Sequence, residues 1–399
     1  MIILGIETSC DETALAVVEA APNVCLVSEA LISQIKVHEK YGGVFPMLAK
    51  REHGKNLIPL LHKVLTEAGQ SIGLNKDLIA PDQSKVAQME ELLARETELL
   101  PFWQDFIKET TATGTRPAID AIAVTEGPGL EPALWVGVSF AKALGLLWGV
   151  PVIPTNHMEG HIVAPLIHGE SAAGKSMPLH TPALPAIALL VSGGHTELVL
   201  MEKLGSYKII GQTRDDAVGE AFDKVARLLG LPYPGGPEIS RMAAQARIEK
   251  TDFTCTLPRP MIHSKDLDFS FSGLKTAVLY FIRDLTEKSI EITDSVRQTI
   301  AREFEDSITE VLVKKTEQAL DQTNAQSLIV GGGVSANTYL CQALKALAKD
   351  RAVEIFLPEK NLSTDNAIMI AVAGSLHLDD HDSGNKDFVA RGNLSICTP

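Results

Sequence analysis

The sequence predicts an α/β protein built by duplication, and three observations carry this. A strand, polar turn, strand unit occurs twice. Short apolar strands alternate with helical patterns between and after the two copies. The 399 residues are 45% hydrophobic but only 5% aromatic, with mean hydropathy +0.10, so the cores are large and aliphatic. That composition excludes general disorder, and the length favours two or three domains.

The elements follow in order. Ile2 to Ile6 reads as a buried strand, the polar cluster Glu7 to Thr13 as a turn, and Ala14 to Val18 as the returning strand. Ala121 to Val124 is a strand ending in Glu126-Gly127-Pro128-Gly129. Val138 to Leu147 is a helix of small residues, and Pro151 to Pro154 a strand end. The first design returns in Ala186 to Val191, Ser192-Gly193-Gly194-His195-Thr196 and Leu198 to Met201. Ser327 to Val330 is another strand, followed by Gly331-Gly332-Gly333 and a helix rich in Leu and Ala.

Residues 70 to 116 interrupt this scheme. Val86, Met89, Leu93, Leu100, Trp103 and Ile107 recur near the helical period, with Pro101 ending one helix or opening the next. The segment is an inserted helical hairpin whose apolar stripe packs on the parent domain; the alternative is a docking surface. Gly169 to Pro185 reads as a loop, and the polar tail from Asp379 as a segment crossing back over the surface.

Lys+Arg 36 against Asp+Glu 50 gives a net charge of -14. This excludes a protein that grips nucleic acid by bulk charge alone, leaving a local patch or a helper subunit. Arg241, Arg247, Lys250, Arg259 and Lys265 mark the local basic surface, against the plainer reading of solvated charge. Cysteines 10, 25, 255, 341 and 397 have no CxxC spacing, which excludes a zinc ribbon and fits a reducing cytoplasm. The chain runs from Met1 straight into a strand, with no signal-peptide pattern and no apolar run long enough for a bilayer. The expected location is cytoplasmic, away from membranes.

The chemistry begins with His157 and His161. Spacing of four places both imidazoles on one helix face, within reach of one metal. Glu159 lies off that face, so the base of a zinc protease is missing. Asp365 is the candidate third ligand, although its place before an apolar helix equally suits an N-cap. Two histidines and a carboxylate with open positions suit Fe(II) or Zn(II). Gly331 to Gly333 and Ser192-Gly193-Gly194 together mark a nucleotide cleft, without a P-loop. Asn337 either reaches a ribose or base or caps its helix; Asp223 either accepts from a ribose or pairs on a helix surface. In an extended chain Asp11 and Glu12 point apart; in a tight turn both face one site.

These residues compose an ordered pattern: Gly5 to Thr13, His157 to His161, Leu190 to Thr196, Gly219 to Lys224, Tyr233 to Pro237, Asp268 to Lys275, Gly332 to Asn337 and Thr364-Asp365-Asn366. The pattern closely resembles the bacterial tRNA N6-adenosine threonylcarbamoyltransferase (TsaD) family over nearly the whole chain, apart from the insertion. The resemblance implies a duplicated fold of the actin, Hsp70 and sugar-kinase type, two lobes with a central cleft. The lobes are expected at 1–154, completed by 366–399, and at 155–365. It implies transfer of threonylcarbamoyl from threonylcarbamoyl-AMP to N6 of adenosine 37, beside the anticodon, in tRNAs reading codons that begin with A. It assigns His157, His161 and Asp365 to one divalent metal, usually iron, with zinc as the other candidate. It assigns Leu190, Val191, Ser192, Gly193, Gly194, Asp223, Gly236 and Asn337 to substrate binding. Asp11 or Glu12 is then the group that accepts the amine proton or positions the acceptor. Implied partners are tRNA, a non-catalytic paralogue and a small ATPase. The competing readings are an actin-like ATPase or kinase, a metalloprotease, and a catalytically silent scaffold.

Overall fold

The computed structural model describes residues 1–20, 23–75, 80–169, 174–249, 253–378 and 388–397. The elements are β1 Ile2–Glu7, β2 Glu12–Glu19, β3 Val24–Ser33, α1 Ile35–His38, α2 Pro46–Ile72, β4 Leu74–Asn75, α3 Gln83–Leu93, α4 Leu100–Thr113, β5 Arg116–Pro117, β6 Ala121–Gly127, α5 Glu131–Trp148, β7 Val152–Asn156, α6 His157–Val163 and β8 Ser176–Met177. Then come β9 Ala186–Val191, β10 Thr196–Lys203, β11 Ser206–Gln212, α7 Val218–Leu228, α8 Gly235–Glu249, α9 Ser272–Glu287, α10 Asp294–Thr323, β12 Ser327–Gly331, α11 Thr338–Arg351, β13 Glu354–Phe356 and α12 Ala367–Ser375.

The chain forms two units. The first is Met1–Val37, Val44–His180 and Thr364–Ile396; the second is His38–Gly43, Thr181–Ser363 and Cys397–Pro399. The first sheet runs β7-β6-β1-β2-β3-β8 and the second β11-β10-β9-β12-β13. Apart from β8, the two orders match when one sheet is read from its opposite end. In each unit three strands form an antiparallel meander, and the first of them pairs in parallel with a later strand. Ile3 faces Val18 across the antiparallel pair and Ala121 across the parallel one; Ala188 likewise faces Val199 and Ile329. The repeated order establishes the duplicated α/β fold.

Each unit has its own core. In the first, Leu4, Ile6, Leu15 and Val17 pack with Leu57 and Leu61 of α2 and Phe140 and Leu144 of α5. In the second, Leu189 and Val191 pack with Val218 and Phe222 of α7 and Phe304 and Ile308 of α10. α12 is apolar throughout and fully buried up to Gly374. Gly5 of β1 lets it approach, because a Cβ there would collide with the carbonyl of Ala367.

The insertion is a helical hairpin, α3 and α4, closed at its base by the β4–β5 ribbon. Met89, Leu93 and Trp103 join the core of the first unit, so the stripe packs on its parent. Pro101 falls in the first turn of α4, where its missing N–H costs no helical bond. The unit boundaries differ from those expected. Residues 155–180 pack with the first unit, not the second, because α6 continues from β7 and lies against α12. Among the described residues no helix is long and apolar enough to cross a membrane.

Candidate active site: a buried histidine and carboxylate centre

α6 starts where β7 ends. Asn156 caps it, its Oδ1 accepting from the backbone N–H of Met158 at 2.9 Å and of Glu159 at 3.4 Å. His157 therefore occupies the first turn and His161 the next, with ring centroids 4.6 Å apart and planes at 81°. Gly160 faces α12, where a Cβ would press on Met369 at 3.0 Å. Before α12, Asn366 and not Asp365 is the cap, accepting from Met369 N at 2.9 Å. The Asp365 carboxylate is thereby left to the histidines. Its Oδ1 lies 3.2 Å from His161 Nε2 and 3.5 Å from His157 Nε2.

The three ligand-type atoms lie within 4.8 Å of one another. His161 is buried, and neither ring nitrogen has a hydrogen-bond partner among the described residues; its Nε2 is the atom 3.2 Å from Asp365 Oδ1. Buried imidazole nitrogens without partners are costly, and they are the donors a divalent ion uses. The residues fit a metal.

A fourth residue, unassigned from the sequence, completes the centre. Glu7 Oε2 lies 3.0 Å from His157 Nδ1 and accepts from Thr125 Oγ1 at 2.6 Å, while Oε1 accepts from Ser9 N. A carboxylate on Nδ1–H fixes the tautomer and turns the Nε2 lone pair toward the ion. Burial pushes the His157 pKa down, but the Asp365 and Glu7 charges and their hydrogen bonds outweigh it and raise it well above the usual value. Burial likewise opposes ionisation of Asp365 and Glu7, and His157 overcomes it, holding both below the usual carboxylate range.

Glu159 faces away from the pair, as its spacing predicts, with Oε2 2.7 Å from His377 Nε2. Asp11 is buried in the turn after β1, and Glu12 opens β2. Glu12 is pushed up to about 10 by burial and then by the charges of Asp11 and Asp365. The turn thus carries Glu12 into the field of Asp365.

The second unit holds the remaining predicted residues. Leu190 and Val191 are fully buried in β9 and present only main chain. The turn after them is closed by Ser192 N to His195 O at 2.9 Å and His195 N to Ser192 Oγ at 3.1 Å. Gly219 N, at the start of α7, donates to Ser192 O at 3.1 Å. Gly332, with φ +89, fits under Val191 O where a Cβ would sit 2.5 Å away. At Gly193, Gly194, Gly236 and Gly333 a Cβ would meet no described atom within 4 Å, so these backbones stand open to a ligand.

Two side chains here are already engaged. Asp223 Oδ1 accepts from Gly235 N at 2.7 Å, fixing the start of α8. Asn337 caps α11 through Leu340 N at 2.9 Å, and its Nδ2 donates to Ser240 Oγ and Glu305 Oε1, both at 2.8 Å. The expected basic surface is corrected. Arg247 pairs with Glu305 and Asp306, Arg259 with Glu303 and Glu310, and Arg241 with Glu238, so these charges are neutralised within the unit. Lys250 lies outside the described residues.

Fold and site together are those of a duplicated α/β protein with a buried cluster able to hold a metal ion. The chain belongs to the tRNA N6-adenosine threonylcarbamoyltransferase (TsaD) family, whose profile matches residues 25–80 and 96–372. The unmatched stretch between them holds α3 of the insertion. The enzyme of that name from Herminiimonas arsenicoxydans is 44% identical over 390 residues, 97% of this chain and 95% of its own. The one from Methylobacillus flagellatus is 41% identical over 391 residues, 98% and 97%. Among solved structures, the activator of 2-hydroxyisocaproyl-CoA dehydratase from Clostridium difficile with bound ADPNP aligns over 97% of this chain and 99% of that chain, with TM-score 0.45 and 10% identity.

Proposed function

We propose that this protein transfers a threonylcarbamoyl group from threonylcarbamoyl-AMP to N6 of adenosine 37 in tRNAs reading codons that begin with A. Family membership over nearly the whole chain supports the reaction, and the buried His157, His161 and Asp365 cluster is the observation that carries the site. N6 attacks the carbamoyl carbon, the bond from that carbon to the adenylate oxygen breaks, and AMP leaves. The amine proton passes to Asp11, while Glu12, kept protonated by burial and by the charges of Asp11 and Asp365, positions the acceptor. A divalent metal on His157, His161 and Asp365, iron or zinc, would supply Lewis-acid polarisation of the carbonyl.

The chain's own residues set the rest. Glu7 orients His157. Gly193 and Gly194 offer main-chain amides to the adenylate phosphate, while Leu190, Val191 and Ser192 hold the strand end and turn that present them. Gly236 gives a ligand room, while Asp223 and Asn337 fix the helix starts beside it. With a net charge of -14 and Arg241, Arg247 and Arg259 paired internally, the chain holds tRNA with help from a non-catalytic paralogue and a small ATPase. The test is mass analysis of tRNA nucleosides from a strain lacking the activity and complemented with this chain. His157→Ala should lose metal and the modified nucleoside together. Stoichiometric metal in that variant would refute the ligand set, and unmodified tRNA with the wild-type chain and its partners would refute the reaction.

A further inference from the structure

The turn that carries Asp11 and Glu12 is held from three sides. Leu130 N, at the start of α5, donates to Ser9 O at 2.7 Å, and Gln34 N, just past β3, donates to Asp11 O at 2.8 Å. Between them, His53 Nε2 on α2 lies 3.0 Å from Cys10 O. Of these three donors only His53 is a side chain, and it is fully buried. A carbonyl only accepts, so Nε2 carries the ring proton and Nδ1 is an acceptor. Thr13 Oγ1 lies 2.8 Å from Nδ1 and donates to it, with Gln34 Nε2 at 3.3 Å. One imidazole therefore grips the residue before Asp11 and the residue after Glu12.

We infer that His53 is a positioning residue, which clamps the turn at Cys10 and Thr13 and so fixes the Asp11 and Glu12 carboxylates for the acceptor. This rests on the transfer reaction proposed above. His53 bonds none of His157, His161 and Asp365 in the contacts described, so its effect should fall on chemistry and not on metal loading. A displacement of about 1 Å in such groups costs on the order of 100-fold in rate.

The experiment uses the full chain with its partners. His53→Phe keeps a ring but no polar atom; His53→Gln restores a donor for Cys10 O. His53→Phe should lower kcat by about 10- to 100-fold, with KM for tRNA and metal per chain unchanged, and His53→Gln should recover most of that loss. Cys10 gives a readout independent of activity. Burial and the charges of Asp11, Asp365 and Glu12 raise its thiol pKa well above normal, so alkylation is slow. Loosening the turn in His53→Phe should speed it, as seen by peptide mass spectrometry. Unchanged kcat and unchanged Cys10 alkylation in His53→Phe would overturn the inference, as would equal losses in both variants that track Tm. If His53→Phe does not fold, Thr13→Val removes the other bond and must lower kcat at full metal content. A wild-type chain without transfer activity would count against the reaction, while faster Cys10 alkylation in His53→Phe would still support the clamp.

Discussion

Glu7 sets both the aim and the charge of His157. Without metal, the charges of Glu7 and Asp365 raise the pKa of His157 and favour its protonated ring. Ligation needs the neutral imidazole, so metal must displace that proton, and affinity should climb as pH rises through the raised pKa. Glu7→Gln removes one of the charges holding the proton, so the pH dependence should move to lower pH. It also removes the partner that orients the ring, so affinity at alkaline pH should drop by about 10- to 100-fold. Competition titrations with a chelator at several pH values check both; an unchanged curve would assign Glu7 to packing alone. Metal-free stability has a matching sign. The His157 contribution is complete below the ordinary histidine value, near 6.5, and is lost as pH rises through the raised one. That of Glu7 and Asp365 stands above the carboxylate range and is lost as pH falls through their lowered values. The histidine pair was legible because spacing of four places it on one face. Asp365 needed the family resemblance, since spacing alone left an N-cap equally open, and Asn366 takes the cap. Glu7 was illegible because its partners, Thr125 and His157, are 118 and 150 residues away.

α12 delivers Asp365, and its seat on β1 depends on a hydrogen atom in place of a methyl group at Gly5. Gly5→Ala pushes on backbone, which has no rotamer to yield. The helix start must shift, moving Asp365 away from His157 and His161. The expected result is a folded protein with metal affinity reduced by about tenfold or more; full loading with normal activity would show that the helix start absorbs the methyl. The strands of both meanders were legible because they are short apolar runs bounded by polar turns. The hairpin was legible from its helical stripe, and Trp103, fully buried against Phe106 and Phe140, explains why the stripe is covered. The roles of Asp223 and Asn337 were not decidable, because a helix start and a ligand subsite call for the same side-chain oxygens.

Across the molecule, charge was the least legible feature. Basic residues close in sequence suggested a surface for tRNA, but their partners on α10 lie 44 to 59 residues away. Arg247 pairs with Glu305, whose side chain is only 1% exposed. Arg247→Ala should therefore cost on the order of 1–3 kcal/mol of stability by removing one of the two partners of the buried Glu305 carboxylate, read from denaturant midpoints, while tRNA affinity at a fixed salt concentration stays unchanged. A selective loss of tRNA affinity would return Arg247 to the binding surface. Thr181–Ser363 interrupts the first unit, and residues 155 to 180, expected in the second lobe, lie in the first. This has a consequence for synthesis on the ribosome. The strands of the first unit emerge early, but α12, which covers β1, emerges only after the whole of Thr181–Ser363. The unit begun second is thus the one able to finish first. His157 and His161 wait for Asp365 until then, so a nascent or prematurely ended chain presents only two of the three candidate metal ligands.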